Sequence, residues 1–367
     1  MKQHIPALIR DPHLRSIAEK VIAAERIAPE EGLLLYQSHE LPALALLASL
    51  VRQRLNGDKV FFVRNYHIEP TNKCIYHCQF CSYSEHMAGS AWEHSTDEML
   101  AMVDALDAGV KELHITGGVH PHHGLDYYAG LLSAIREHRP ELHLKAYSAI
   151  EIVQMARKAR LSYRDTLRVL RDHGLGSIPG GGAEIFDEEV RRQICPDKGD
   201  TRDYLEVHAQ AHRLGIPSNA TMLYGHVERY AHRIDHLERL RQLQDETRGF
   251  NGFIPLKFRS ANNALSHLGE VNLMEDLKNY AVSRIYLDNF RHMKAYWPMI
   301  GKEAAAIALS FGIDDLDGTI EDSTRIYTMA GAGGKTSMSP DELRQMAADQ
   351  GLVAVERDAV YNEVASG

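Results

Sequence analysis

Three cysteines carry the first chemistry in this sequence. Cys74, Cys78 and Cys81 fall in the segment TNKCIYHCQFC (71–81), a C-x3-C-x2-C spacing on one compact loop. Thiolates are the soft ligands that iron–sulfur clusters require, and three of them at this spacing can share one cluster. Three ligands leave one iron of a four-iron cube without a protein ligand, and that open iron can take a small chelating molecule. The competing reading is a zinc site, which wants four closed ligands; His77 is then the fourth to propose, with no second CxxC to supply one. A plain electron-carrier cluster needs a fourth cysteine, and Cys195 reads more simply as a buried thiol.

Such a loop needs rigid elements to present it. From residue 58 onward, short β-rich runs alternate with amphipathic helical ones. The β-rich runs are KVFFVRNYHIE, KELHITGG, LHLKAYSA, LGSIPGG, IPSNATMLYG, NGFIPLKF, SRIYLDN and GIDDLDGT. Between them lie TDEMLAMVDALDAG, YYAGLLSAIREHRP, RDTLRVLRDHG, DYLEVHAQAHRLG and HRIDHLERLRQLQDE. This alternation predicts parallel strands with helical crossovers. The number of units predicts an α/β fold of the (βα)8 TIM type, with a partial six-stranded barrel as the alternative. Active chemistry in a barrel sits at the C-terminal ends of the strands, and the cysteine loop follows the first one. Two helix starts are signalled by capping boxes, Ser95 with Glu98 and Ser339 with Glu342, the latter with Pro340 in the first turn. The expected organisation is an N-terminal helical segment over 1–57, the barrel over 58–335, and a C-terminal helix and tail over 336–367, both ends packed on the barrel.

Composition narrows the partners. A hydrophobic share of 44% over 367 residues supports a sizeable core. The net charge of −9 argues against a nucleic-acid groove while leaving room for a local cationic pocket. No apolar run is long enough for a transmembrane helix, and the start MKQHIPALIRDPHLRS lacks a signal-peptide pattern. Four cysteines do not make a disulfide scaffold, so the expected setting is the reducing cytoplasm, without membrane or nucleic acid. The run from Thr116 to His123 is rich in histidine, but one cluster already claims that region. The string Gly331–Thr336 imitates a phosphate-binding loop, yet Met329 stands where that motif needs glycine, so ATP binding is not expected.

The cysteine loop resembles that of the radical S-adenosylmethionine (SAM) superfamily. The resemblance implies a [4Fe–4S] cluster on Cys74, Cys78 and Cys81, SAM chelating the open iron, and one-electron cleavage of SAM to a 5′-deoxyadenosyl radical. Phe80 matches the aromatic residue near the adenine. Gly117 and Gly118 match the glycine pair at SAM's methionine end, although a tight turn would equally explain them. Longer stretches are similar to the aminofutalosine synthase family of the futalosine route to menaquinone: HLKAYSAIEI (143–152), SIPGGGAEIFDEEVRRQICPDK (177–198), SNATMLYGHVE (218–228) and QDETRGFNGFIPLKF (244–258). That similarity implies a reaction of SAM with 3-[(1-carboxyvinyl)oxy]benzoate to give 6-amino-6-deoxyfutalosine, methionine and carbon dioxide. It also implies a low-potential donor such as flavodoxin or ferredoxin. The related cyclic dehypoxanthine futalosine synthase shares GGGAE, while the run from Ile185 to Pro196 favours the synthase. A non-catalytic iron–sulfur protein is the alternative from another class.

The remaining site expectations follow from that substrate. A small aromatic dicarboxylate needs cations, best supplied by arginine. Lys257 and Arg259 share a face at the end of NGFIPLKFR, so Arg259, with Lys257 second, is the expected carboxylate partner; a solvated rim charge is the alternative. These basic residues also depart from the less basic, proline-containing continuation expected after FIPL. Glu184 can accept hydrogen bonds from the ribose hydroxyls of SAM, or simply face a helix N-terminus. Asn219 and Thr221 share a face and can line the pocket or pack the barrel. Asn65, His67 and Glu69 share a face just before the cysteine loop, where His67 or Glu69 can act near the radical or carry a proton.

Overall fold

The computed structural model describes residues 5–322, 325–331 and 337–364. The boundary expected at 335/336 and most of the Gly331–Thr336 string lie outside the described residues. The first barrel strand has two halves, β1 (Lys59–Val63) and β2 (Asn65–Ile68). It is followed by β3 (Glu112–Ile115), β4 (His143–Ala146), β5 (Leu175–Ser177), β6 (Ser218–Tyr224), β7 (Phe250–Lys257) and β8 (His292–Met293). The last barrel strand is again in two halves, β9 (Asp315–Gly318) and β10 (Glu321–Asp322). Among the described residues all the strand ladders are parallel. β2, β3, β4 and β5 form one ladder, and Ile178 bridges Ser218 to join β6, β7 and β8. Lys294 then bridges Asp315, and β9 and β10 pair with β1 and β2. The ring closes over eight strand positions, as the TIM-type reading expects, rather than the six-stranded alternative.

The alternation of apolar and polar residues within the strands reflects two different environments. Leu113, Ile115, Leu144, Ala146, Ala220 and Met222 are fully buried beneath the helical layer. Their neighbours in sequence face the barrel interior, and there the interior is ionic: Lys145 pairs with Glu112, and Lys294 with Asp317 at 2.8 Å. Four buried charges persist because each has an opposite partner; an unpaired one would carry the full desolvation cost. Burial alone would raise Glu112, yet Lys145 and Lys294 hold it down to about 2.

β11 (Val353–Arg357) runs beside β1 and closes the N-terminal end of the barrel. Its Arg357 is fully buried and donates from Nε to Asp315 at 2.8 Å, while Tyr361 stacks on His292 at 3.6 Å. The 336–367 segment therefore contributes a strand as well as the helix Pro340–Asp349. Both predicted capping boxes are present, with Ser95 Oγ accepting from Glu98 N and Ser339 Oγ from Glu342 N, each at 3.2 Å. Among the described residues no helix is long and apolar enough to cross a membrane.

One expected strand is a helix instead. SRIY of SRIYLDN ends the helix Leu273–Tyr286, and the seventh barrel strand is the two-residue β8. Val282, Ile285 and Tyr286 are buried on a helix enclosed on several sides, so their run of β-favouring side chains imitates a strand. The segment AIEIVQMARKA, of which only AIEI falls in a stretch noted for its resemblance, forms the helix Ala149–Ala159.

Candidate active site

The cysteine loop leaves β2 at the mouth of the barrel and is tied down on three sides. On the first side, Gly118 N donates to Thr71 O at 2.8 Å and Ile75 N to Val119 O at 3.0 Å. The glycine pair is what permits this approach. A Cβ on Gly117 would stand 2.8 Å from Thr71 O, and one on Gly118 only 2.3 Å from Lys73 O. Neither has a left-handed φ, so the pair serves close packing against the cysteine loop rather than a strained turn. On the second side, a strap over residues 84–94 crosses the loop: Thr71 Oγ1 donates to Trp92 O, Asn72 Nδ2 to Ser90 O, and Trp92 N to Asn72 Oδ1. On the third, Gln79 N donates to Ile194 O at 2.7 Å, and the Asp197 carboxylate accepts from His77 N and pairs with its Nδ1 at 2.8 Å.

This docking removes His77 as a fourth metal ligand. Its side chain is 58% exposed, it is turned to Asp197, and it stacks on His86 at 4.1 Å. The thiols of Cys74, Cys78 and Cys81 are free, with Cys78 buried. Burial pushes the Cys78 thiol well up, and the Lys198 ammonium pulls against it. Cys74 is raised in the same way, opposed by backbone N–H groups; Val119 N donates to its sulfur at 3.4 Å. Buried thiols supplied with amide donors and a nearby cation fit an iron–sulfur cluster, because iron replaces the protons that burial would otherwise retain. Phe80 lies beside this group, its ring centroid 5.7 Å from Lys198 Nζ.

Other expected residues divide into two groups. Glu184 is buried, adopts a left-handed φ of 49°, and accepts from Lys198 Nζ on Oε1 at 2.6 Å. Asn219 and Thr221 sit on the inner face of β6, whose alternate residues Ser218 and Tyr224 bond outward to His208 and Asp276. His67 is buried on the inner face of β2, edge-on to His114 at 4.5 Å, and burial pushes it down to about 4, so it is neutral near pH 7. Glu69 is buried above it and accepts from Ile326 N at 3.2 Å.

The second group is held by other partners. Lys257 pairs with Asp276 on the outer helix Leu273–Tyr286 at 2.8 Å, so it points toward the helical layer and not into the barrel. Arg259, past the strand end, donates to Met299 O at 3.1 Å and Gly331 O at 3.0 Å and faces Glu270. The period of two reaches Lys257, the last residue of β7, but could not say that its face is the outer one, and Arg259 lies beyond the strand.

Sequence reasoning missed one residue and set aside the histidine run without its partner Glu93. Lys198 was not singled out, although it lies within a resembling stretch. The second is a cluster of Glu93, His120 and His123. His123 Nε2 meets Glu93 Oε1 at 2.5 Å, and Lys73 Nζ donates to Oε2 at 2.8 Å. His120 Nδ1 accepts from the backbone N–H of His122 and His123, which places the ring proton of a neutral imidazole on Nε2, facing Glu93. That nitrogen is a donor, not a lone pair for a metal. The group is a carboxylate clamp joining the strap, the cysteine loop and the loop after β3. Burial alone would raise Glu93, but Lys73 and His123 hold it down to about 2.

Comparison with known proteins is consistent with this geometry. Residues 68–240 match the radical SAM superfamily, and residues 247–365 match the CofH/MqnC C-terminal region. An aminodeoxyfutalosine synthase of Thermus thermophilus is 45% identical over 362 residues, covering 97% of each chain. One from Streptomyces coelicolor is 37% identical over 95% of this chain and 93% of its own. A 5-amino-6-(D-ribitylamino)uracil–L-tyrosine 4-hydroxyphenyl transferase of Methanoculleus marisnigri is 37% identical over 95% of this chain and 97% of its own. Among solved structures, methylornithine synthase (PylB) superposes with a TM-score of 0.72 at 16% identity, covering 92% of this chain and 97% of that one. The [FeFe]-hydrogenase maturase HydG gives 0.76 at 17% identity, covering 96% and 78%. These two likenesses speak to the fold.

Proposed function

The chain belongs to the aminodeoxyfutalosine synthase family of the radical SAM superfamily, and from that premise we propose that it joins SAM to 3-[(1-carboxyvinyl)oxy]benzoate. The products are 6-amino-6-deoxyfutalosine, methionine and carbon dioxide, in menaquinone biosynthesis in the cytoplasm. The superfamily implies a [4Fe–4S] cluster and SAM. The observation that carries the reading is the loop of Cys74, Cys78 and Cys81, docked at the end of the first barrel strand beside Lys198, in a chain 45% identical to such a synthase.

When bound, the cluster and SAM together supply a 5′-deoxyadenosyl radical, using an electron from a low-potential donor such as flavodoxin or ferredoxin. Cys74, Cys78 and Cys81 would hold the cluster. Gly117 and Gly118 let the loop after β3 lie against the cysteine loop, fixing the backbone that meets SAM's methionine end. Phe80 would line the adenine, and Glu184, which takes Lys198 on Oε1, would offer Oε2 to the ribose diol. Asn219 faces the pocket from β6. His67, neutral through burial, offers a weak base rather than a cation, and Glu69 stands above it. Arg259 is the rim cation nearest in sequence to the strand end; for it to meet a substrate carboxylate, its bonds to two carbonyl oxygens must exchange.

The hydroxyphenyl transferases, at 37% identity, give a second reading in which tyrosine is the partner. Supplying the reconstituted enzyme with the enol-ether benzoate and tyrosine in parallel separates the two. Methionine release dependent on the benzoate supports the synthase, and release dependent on tyrosine overturns it.

A further inference from the structure

Lys198 occupies a place that none of the roles above requires. Its ammonium is largely buried, bonded to Glu184 Oε1 at 2.6 Å and set 5.7 Å from the Phe80 ring, next to Cys81 in sequence. Its charge acts on the thiols of Cys74, Cys78 and Cys195. The residue before Lys198, Asp197, holds His77 at 2.8 Å, and His77 precedes Cys78 in the chain, so the ammonium is fixed against the cysteine loop on this side.

The pair is also built in place. Arg191 is 2% exposed, and its guanidinium grips both partners' backbones. Nη1 donates to Ala183 O and Ile185 O, on either side of Glu184; Nη2 donates to Lys198 O and Gly199 O. The same segment anchors the cysteine loop through Ile194 O and Asp197. A flexible surface lysine would be screened by water, whereas a buried ammonium held by such a staple acts at low effective dielectric.

We infer that Lys198 is a positioning residue that sets how readily the cluster accepts its electron. The inference rests on the proposal that Cys74, Cys78 and Cys81 hold a [4Fe–4S] cluster. Reduction adds one negative charge to the cluster, taken from the low-potential donor. A fixed positive charge beside the Cys78 ligand favours the reduced state, since cluster potentials follow local charge, hydrogen bonding and burial. Glu184 works in the opposite direction while holding the ammonium in place.

An EPR-monitored reductive titration without SAM tests this on reconstituted wild type, Lys198→Met, Lys198→Arg and Glu184→Gln, each with iron and sulfide counted. Lys198→Met should lower the ratio of reduced to oxidised cluster at a given potential about tenfold, a midpoint ~59 mV more negative for one electron. Lys198→Arg should stay near wild type, and Glu184→Gln should shift the other way. Lys198→Met with a full complement of iron and an unchanged midpoint overturns the inference. If Lys198→Met fails to assemble a cluster, the Glu184→Gln midpoint decides: a positive shift supports the inference, and no shift or a negative one overturns it. A wild type that takes up no iron would instead overturn the cluster assignment beneath it.

Discussion

Cys78 stands where two demands meet. It must be a thiolate to bind iron, yet burial drives its thiol well up, and the Lys198 cation offsets only part of that rise. Iron makes up the remainder, so losing one ligand should be severe. Cys78→Ala, reconstituted anaerobically, should lose the visible iron–sulfur absorbance and most of its iron; retention of about four irons per chain would contradict the assignment. Arg259 offers a finer test. Arg259→Gln should raise the KM for the enol-ether benzoate or lower kcat strongly, while unchanged kinetics would return Arg259 to a purely structural rim role among Met299, Gly331 and Glu270. The cysteines were legible because their spacing alone specifies a ligand set. Lys198 was not, because a lysine announces its role only through what surrounds it, and the cysteine loop it faces lies far from it in sequence.

At the scale of elements, the helix Ala149–Ala159 shows how a local cap and a site boundary share residues. Ser148 N and Oγ and Thr116 Oγ1 all donate to Glu151 Oε2, closing a capping box directly after β4. Burial nonetheless raises Glu151 from its ordinary 4.5 to about 7. A carboxyl with a raised folded pKa stabilises the fold below its unfolded pKa and loses that contribution as pH rises through the folded one. Glu151→Gln, neutral throughout, should therefore gain on wild type by roughly 3 kcal/mol as pH climbs from 4.5 to above 7. A thermal-melt difference flat across that range would contradict this account. The helix itself escaped sequence reading because HLKAYSAIEI runs from strand to helix without a glycine or proline to mark the change. The helix Leu273–Tyr286 misled for the opposite reason: it is enclosed on enough sides to lose its polar stripe.

For the whole molecule, the parallel barrel was readable because strand and helix periods alternate along most of the chain. The closure was less so. β8 has two residues, β11 comes from beyond the barrel, and the interior carries ion pairs where strands usually contribute branched aliphatics. Those pairs make a prediction about stability. Arg357 and Asp315 are fully buried at the N-terminal end of the barrel, and Arg357→Met leaves Asp315 without its cation. A loss of roughly 3–5 kcal/mol should follow, or a fall of about 5 °C in apparent Tm, with partial recovery in the Arg357→Met, Asp315→Leu double variant. A single variant melting with wild type would show that the Arg357–Asp315 pair contributes little.

The central claim concerns the fate of the adenosyl group, and one labelling experiment addresses it. SAM carrying 13C in its adenosyl ribose is incubated anaerobically with the reconstituted enzyme, a reductant and 3-[(1-carboxyvinyl)oxy]benzoate, and the products are weighed. The account predicts labelled 6-amino-6-deoxyfutalosine in equal amount to the methionine released. Label recovered only as 5′-deoxyadenosine, with the benzoate unchanged, would contradict it.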